Sequence, residues 1–231
     1  MELSDAMRTS AAVRQFTDEP VSDEQLIGVL DVARFAPSGG NRQGWRLVVV
    51  SDPSTRRSLR DLYASAWYEY LAMARAGLVP WAPVTDRVAE QRALHDAPAI
   101  AHAAAAGPGG FAEHLDKVPV LLVVLADLRA LAATDRDLDR YTLIGGASVY
   151  PFVWNVLLAA RDAGLGGVLT TMLARREPEV LSVLGAPHEF AVAALLALGR
   201  PAHQPRSLRR AAVAEFTTRD RFDGAAFGAS A

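Results

Sequence analysis

The feature that most constrains this fold is the run VPVLLVVLAD at residues 118–127. It is apolar from residue 118 to 126, with Pro119 near its start. That is well short of the ~18 residues a membrane span needs. A strand with one face in water would alternate polar and apolar residues, and this one does not. It reads as a buried strand, covered on both faces.

Three other stretches read as strands: WRLVVV at 45–50, residues 168–172 and residues 190–198. Helices are expected between them. Residues 22–35 carry the apolar stripe Leu26, Ile27, Val29, Leu30 and Ala33, with Ser22 as N-cap and Gln25 completing a capping box. Asp52-Pro53 caps a second helix running to about Ala76. Residues 141–163 read as one long, Ala-rich helix, apolar almost all round and therefore central. Glycines at 164–167 stop it, and residues 177–184 form another helix. Helices and strands alternate loosely, as in a sheet with parallel strands, yet no GxGxxG follows a strand and no GxxxxGK[ST] occurs. A Rossmann or P-loop site is not supported.

Residues 77–110 differ from the rest. They hold four prolines, Trp81 and the low-complexity run AHAAAAGPGG. They read as an insertion or lid over a site, helical over about 84–95, or as a plain surface excursion. After Pro201 comes a tail with Arg206, Arg209 and Arg210, and with Val213, Phe216 and Phe222 spaced as if to pack on something.

Composition narrows the chemistry. The 231 residues allow one or two domains. Apolar residues make up 51%, which leaves some to bury in an oligomer. A net charge of −2 gives no nucleic-acid footprint. There is no cysteine, so disulfides, thiolate metal sites and cysteine catalysis are excluded, and the five histidines lack metal-ligand spacing. MELSDAMRTS has two acids and no apolar core, unlike a signal peptide, so a cytoplasmic protein without membrane or metal is expected. No GxSxG or catalytic carboxylate pair stands out.

What remains is binding of an anion and something flat. Arg8 and Arg14 lie near the start, and Arg206, Arg209 and Arg210 near the end. Arginine is the planar, bidentate partner of phosphate. The loop PSGGNRQ before the first strand offers two glycines and several hydrogen-bonding groups, and Thr170-Thr171 follows the glycine-rich helix end.

With these stretches assembled, the chain resembles the FMN-dependent nitroreductase superfamily. The resemblance runs from Arg8 to about Phe216. It is carried by VRQFTDEPVSDEQL, ARFAPSGGNRQGWRLVVVSDP, DAGLGGVLTTM and LALGRP with the basic SLRR after it. The lid position and VLTTM most resemble the branch of iodotyrosine deiodinase and its bacterial relatives.

The resemblance implies an α+β fold with a central, mostly antiparallel sheet flanked by helices. It implies one FMN-binding domain over 1–231, a lid at about 63–111, and a C-terminal extension at about 202–231 exchanged in a homodimer with FMN at the interface. Arg14 matches the basic residue at the flavin's pyrimidine end. The family's compact Arg-Arg-Ser is here Ser10, Ala11 and Ala12, so Ser10 serves as phosphate ligand with Arg8 reaching in from one turn earlier. Pro37, Ser38 and Gly39, with Asn41 and Gln43 after them, match the loop that reaches the flavin of the neighbouring subunit. Its glycines let backbone approach a flat ring. Thr170 and Thr171 match the segment beside flavin N5, and Arg210, or Arg209, matches the phosphate grip. Thr171 and Arg14 are the expected catalytic residues.

The implied activity is that of an FMN-dependent NAD(P)H oxidoreductase. NADH or NADPH reduces FMN, which then reduces a nitroaromatic, quinone or related small planar acceptor by a ping-pong mechanism. The lid aromatics Trp67, Tyr68, Tyr70 and Trp81 would shape the acceptor pocket. The alternatives are a reductive dehalogenase or biosynthetic dehydrogenase, and a flavin-binding protein without turnover.

Overall fold

The computed structural model describes residues 1–228. Four strands, β1 (Trp45–Val49), β2 (Val120–Asp127), β3 (Gly166–Thr170) and β4 (Phe190–Gly199), form one sheet in the order β1-β2-β4-β3. Every neighbouring pair is antiparallel. The α+β class and antiparallel sheet agree with the resemblance, whereas the alternation of elements alone had left parallel pairing open.

The unbroken apolar run of β2 is explained by cover on both faces. Successive side chains point to opposite sides of a sheet. Val120, Leu122, Val124 and Ala126 join one core, with Leu26, Val29 and Ala33 of α2 (Asp23–Ala33) and Phe152, Val153 and Val156 of α6 (Tyr150–Asp162). Leu121, Val123 and Leu125 join the other, with Leu59 and Tyr63 of α3 (Pro53–Arg75) and Val180 of α7 (Glu177–Leu184). Trp45 of β1 stacks on Phe152 at 4.7 Å.

Local signals fixed several boundaries. Ser22 Oγ accepts from the Gln25 N–H and Gln25 Oε1 accepts from the Ser22 N–H, each at 3.2 Å, so the capping box is formed. Asp52 caps α3 by accepting from the Thr55 N–H at 2.8 Å. Gly164 ends α6 at φ +77°, a conformation glycine adopts without strain.

Two expectations are corrected. The long helix at 141–163 begins only at Tyr150. Leu143 and Ile144 spend their N–H groups on the Asp135 carboxylate, Gly145 and Gly146 disfavour helix, and Pro151 sits in the first turn, where a missing N–H costs nothing. Gly166 and Gly167, expected to help stop the helix, belong to β3, so the third strand starts and ends two residues early. A Cβ on Gly167 would stand 2.9 Å from the Ala197 carbonyl oxygen, so the strand pair itself requires glycine there.

The 77–110 segment contains α4 (Arg87–Leu94) and α5 (Ala97–Ala105), and both pack on α3. The alanine run read as low complexity is largely the helix α5. At the N-terminus, α1 (Leu3–Thr9) leads into an extended segment. Ala12 bridges Gly167 in parallel, and the Val13 N–H donates to the Gly167 carbonyl at 2.9 Å. Thr17 and Ala202 then exchange backbone bonds with Arg200 and Gln15. This clamp lays residues 10–14 along β3 and brings the chain after β4 beside them.

Candidate functional site

β3 spans about 13 Å at ~3.3 Å per residue. A cavity opens at each end of it, and Leu169 borders both. Since Ala12 pairs with Gly167, Ser10 falls at the first cavity and Arg14 at the second.

The first cavity, about 280 Å³, is lined by Ser10, Ala11, Ala12, Gly166 and Gly167, by Arg161 from the last turn of α6, and by Gln204 and Arg210 from the tail. Arg161 Nε donates to Thr9 Oγ1 at 3.2 Å. Gln204 Nε2 donates to the Thr9 carbonyl at 2.8 Å, while its Oε1 is buried and has no hydrogen-bond partner among the described residues. The Ser10 hydroxyl donates to the Ala6 carbonyl at 2.8 Å, which leaves its lone pairs as acceptors and makes it the weaker anion ligand of the set.

The second cavity, about 420 Å³, is lined by Arg14, Thr170, Thr171 and Met172 on one side and by Tyr63, Trp67, Tyr70, Phe111 and Glu113 on the other. Trp67 and Tyr70 stack at 5.0 Å and Tyr70 leads on to Trp81, whose ring lies under the Arg175 guanidinium at 4.9 Å. Thr170 Oγ1 meets the Tyr63 hydroxyl at 3.3 Å and accepts from the Met172 N–H at 3.4 Å. Thr171 is exposed at the cavity, and its hydroxyl makes no hydrogen bond among the described residues. Burial pushes the Tyr63 phenol above its usual range, against the Thr170 hydroxyl and the Arg14 charge. Burial also acts to raise the Glu113 carboxyl, but the Gly110 N–H and the Tyr68 hydroxyl hold it below the usual range, so it is an anion at neutral pH.

Among the described residues, none of Arg14, Arg161 and Arg210 makes an ion pair: the second cavity holds one such guanidinium and the first holds two. Arg8 is exposed on α1 and lines neither cavity, and Arg209 lines neither. Pro37, Ser38 and Gly39 border a separate shallow cleft with Ala147 and Ser148, and the Gly39 N–H donates to Ser148 Oγ at 3.0 Å. Asn41 and Gln43 sit at positive φ and bond to each other, side chain to side chain, at 3.2 Å. The sequence reading missed Arg161, Gln204, Tyr63, Phe111 and Glu113 as individual site residues. An arginine in a helix's last turn looks like any solvated one. The missing Arg-Arg was the available hint that a cation must come from elsewhere.

A cationic end and an aromatic-walled end, joined along one strand, would suit an elongated ligand with a charged group at one end and a flat one at the other. The nitroreductase family model matches residues 7–200, and the chain belongs to that family. It is 32% identical over 194 residues to an NADH dehydrogenase of Thermus thermophilus, covering 84% of this chain and 83% of that one. It is 26% identical over 231 residues to a nitrobenzene nitroreductase of Ectopseudomonas oleovorans, covering 94% and 96%. A crystal structure of oxidized iodotyrosine deiodinase bound to FMN and 3-iodo-L-tyrosine superposes with TM-score 0.61 at 25% identity, over 94% of this chain and all of that one (100%). Among the described residues no helix is long and apolar enough to cross a membrane, and no cluster of acidic or imidazole groups could hold a metal.

Proposed function

We propose that this chain is an FMN-dependent oxidoreductase that takes electrons from NADH or NADPH and delivers them to a nitroaromatic, quinone or related planar acceptor. The observation that carries this reading is the pair of cavities along β3, one cationic and one aromatic-walled. FMN fits the groups present: unpaired guanidiniums stand at both ends, and the buried Gln204 Oε1 lacks a donor that a ligand hydroxyl could supply. Bound FMN would accept hydride at its ring N5 and pass the electrons on.

The chain's own residues then divide the work. Arg210 would hold the phosphate, with Ser10, whose hydroxyl and N–H both donate to the Ala6 carbonyl, bordering it without donating. Arg14, without a protein anion to neutralise it, stabilises negative charge at the pyrimidine edge. Thr171, whose hydroxyl makes no hydrogen bond among the described residues, would donate to the ring at N5, while Thr170 is fixed by Tyr63 and Met172. Trp67, Tyr70 and Phe111 give a planar acceptor a stacking surface. Donor and acceptor would use the same aromatic-walled cavity in turn, as a ping-pong scheme requires.

The same reading takes 1–231 as one domain, with residues 63–111 as lid, in a cytoplasmic homodimer. Pro37, Ser38, Gly39, Asn41 and Gln43 lie away from both cavities, so they would serve the FMN of the second subunit. Residues 202–231 are the expected arm that wraps it, and of these 202–228 would do so, 229–231 lying outside the described residues. Exposed Phe35 and Phe216, at 73% and 67%, support a large apolar contact of this kind.

The visible spectrum of the purified protein, before and after NADH or NADPH without oxygen, tests the proposal. Flavin bands should bleach, and a nitroaromatic or quinone should restore them. A colourless protein that fails to take up FMN, or a flavin that stays oxidised with both donors, would overturn it.

A further inference from the structure

We propose that Arg161 is a phosphate ligand of this chain, supplying from α6 the guanidinium absent at Ala11 and Ala12. The inference rests on the FMN reading above. Ala11 and Ala12 line the first cavity with methyl groups and offer no charge. Arg161 lines the same cavity from the last turn of α6. Its Nε is tied to Thr9 Oγ1 at 3.2 Å, and its two terminal nitrogens hold no hydrogen bond among the described residues. A guanidinium with its stem fixed, its fork free and no ion pair among the described residues is available to an anion that enters the cavity. Arg210 enters from the tail side, where its Nη1 donates to the Arg209 carbonyl at 2.8 Å. Two guanidiniums therefore face one small cavity, an arrangement suited to a dianion. Arg8, the substitute expected from the sequence, points to solvent instead. The tie to Thr9 also holds α6 against the end of α1, so the charge is placed before ligand arrives.

The test titrates FMN, and separately riboflavin, into the flavin-free full-length chain and follows fluorescence quenching. Arg161→Ala should weaken FMN binding about 10- to 100-fold and leave riboflavin binding unchanged, because riboflavin carries no phosphate. Arg161→Lys should fall between, keeping charge but losing the bidentate fork. Arg8→Ala should bind FMN as the parent does. Inorganic phosphate should raise the melting temperature of the parent and not of Arg161→Ala.

An Arg161→Ala variant that binds FMN like the parent, or that loses FMN and riboflavin equally, would overturn the proposal while leaving the oxidoreductase reading intact. If the parent binds neither flavin, the oxidoreductase reading fails. The phosphate shift then decides alone: one that depends on Arg161 supports the anion site, and one that does not overturns it.

Discussion

The Tyr63 hydroxyl lies 3.3 Å from Thr170 Oγ1 and links α3 to the end of β3. The adjacent Thr171 has no such tie, although both threonines face one cavity. The two should therefore separate in mutagenesis. Thr170→Val keeps the shape but removes the partner of Tyr63 and of the Met172 N–H, and should cost about 1 kcal/mol in denaturant unfolding. Thr171→Val should leave the unfolding midpoint unchanged and slow the reoxidation of the protein by acceptor. Equal stability losses in both variants would contradict this division.

Arg56 joins three pieces of backbone. Its guanidinium donates to the carbonyls of Asp116 and Val50, each at 2.8 Å, and to that of Val118. These flank the entry to β2 and the exit from β1, so one side chain closes the edge where α3 meets the sheet. Arg56→Met should lower stability by about 2–3 kcal/mol, read as a fall in denaturant midpoint at constant slope, because three carbonyls lose their donor. Lysine should not rescue it, since a single ammonium lacks the planar fork that spans them.

Legibility in the sequence followed the range of the interaction. The Ser22–Gln25 box, the Asp52 cap and the apolar runs of β2 and β4 are local patterns, and each appears where expected. The break before Tyr150 depended on Asp135, eight residues from Leu143, and no helical periodicity reveals that. The first cavity was the least readable part. Ala12 meets Gly167 through one isolated bridge, and Thr9, Arg161 and Gln204 come together from three distant segments. Arg14 and Thr171 stood out as polar candidates and the resemblance put both at one ring, but the contact that brings them to one cavity, the bridge from Ala12 to Gly167, has no local signal in the sequence.

Asp135 makes a pH-dependent contribution to stability. It is 3% exposed and accepts from the Leu143 N–H at 2.7 Å, from the Ile144 N–H and from Arg140 Nη1. The Leu143 N–H first, then Arg140 and the Ile144 N–H, hold its carboxyl below the usual range against the opposing effect of burial. A carboxyl lowered in the folded state stabilises above its unfolded value of about 3.9 and loses that contribution as pH falls through the folded value. Asp135→Asn should therefore unfold at lower denaturant than the parent at pH 7, and the gap should close below about pH 4. A gap that stays constant from pH 7 to pH 3 would show that the carboxylate charge is not what holds residues 135–144 together.

On the oxidoreductase reading, Arg14 would serve chemistry rather than folding. It is exposed at the second cavity, and the chain gives it no acid to pair with. Its removal leaves no buried partner behind, so Arg14→Gln should unfold like the parent, within about 0.5 kcal/mol. Charge that develops at the far edge of the ring on reduction would lose its stabiliser. The loss of one such group costs on the order of 100-fold in rate. Stopped-flow reduction by NADH or NADPH should slow by about that factor, with FMN affinity changed far less, because on this reading the phosphate would be gripped at the other end of β3. Lysine at position 14 should recover much of the rate, since a positive charge rather than a fork is what the edge requires. If Arg14→Gln instead reduces at the parent rate but loses FMN, Arg14 serves to hold the ring and the charge stabilisation must come from another group.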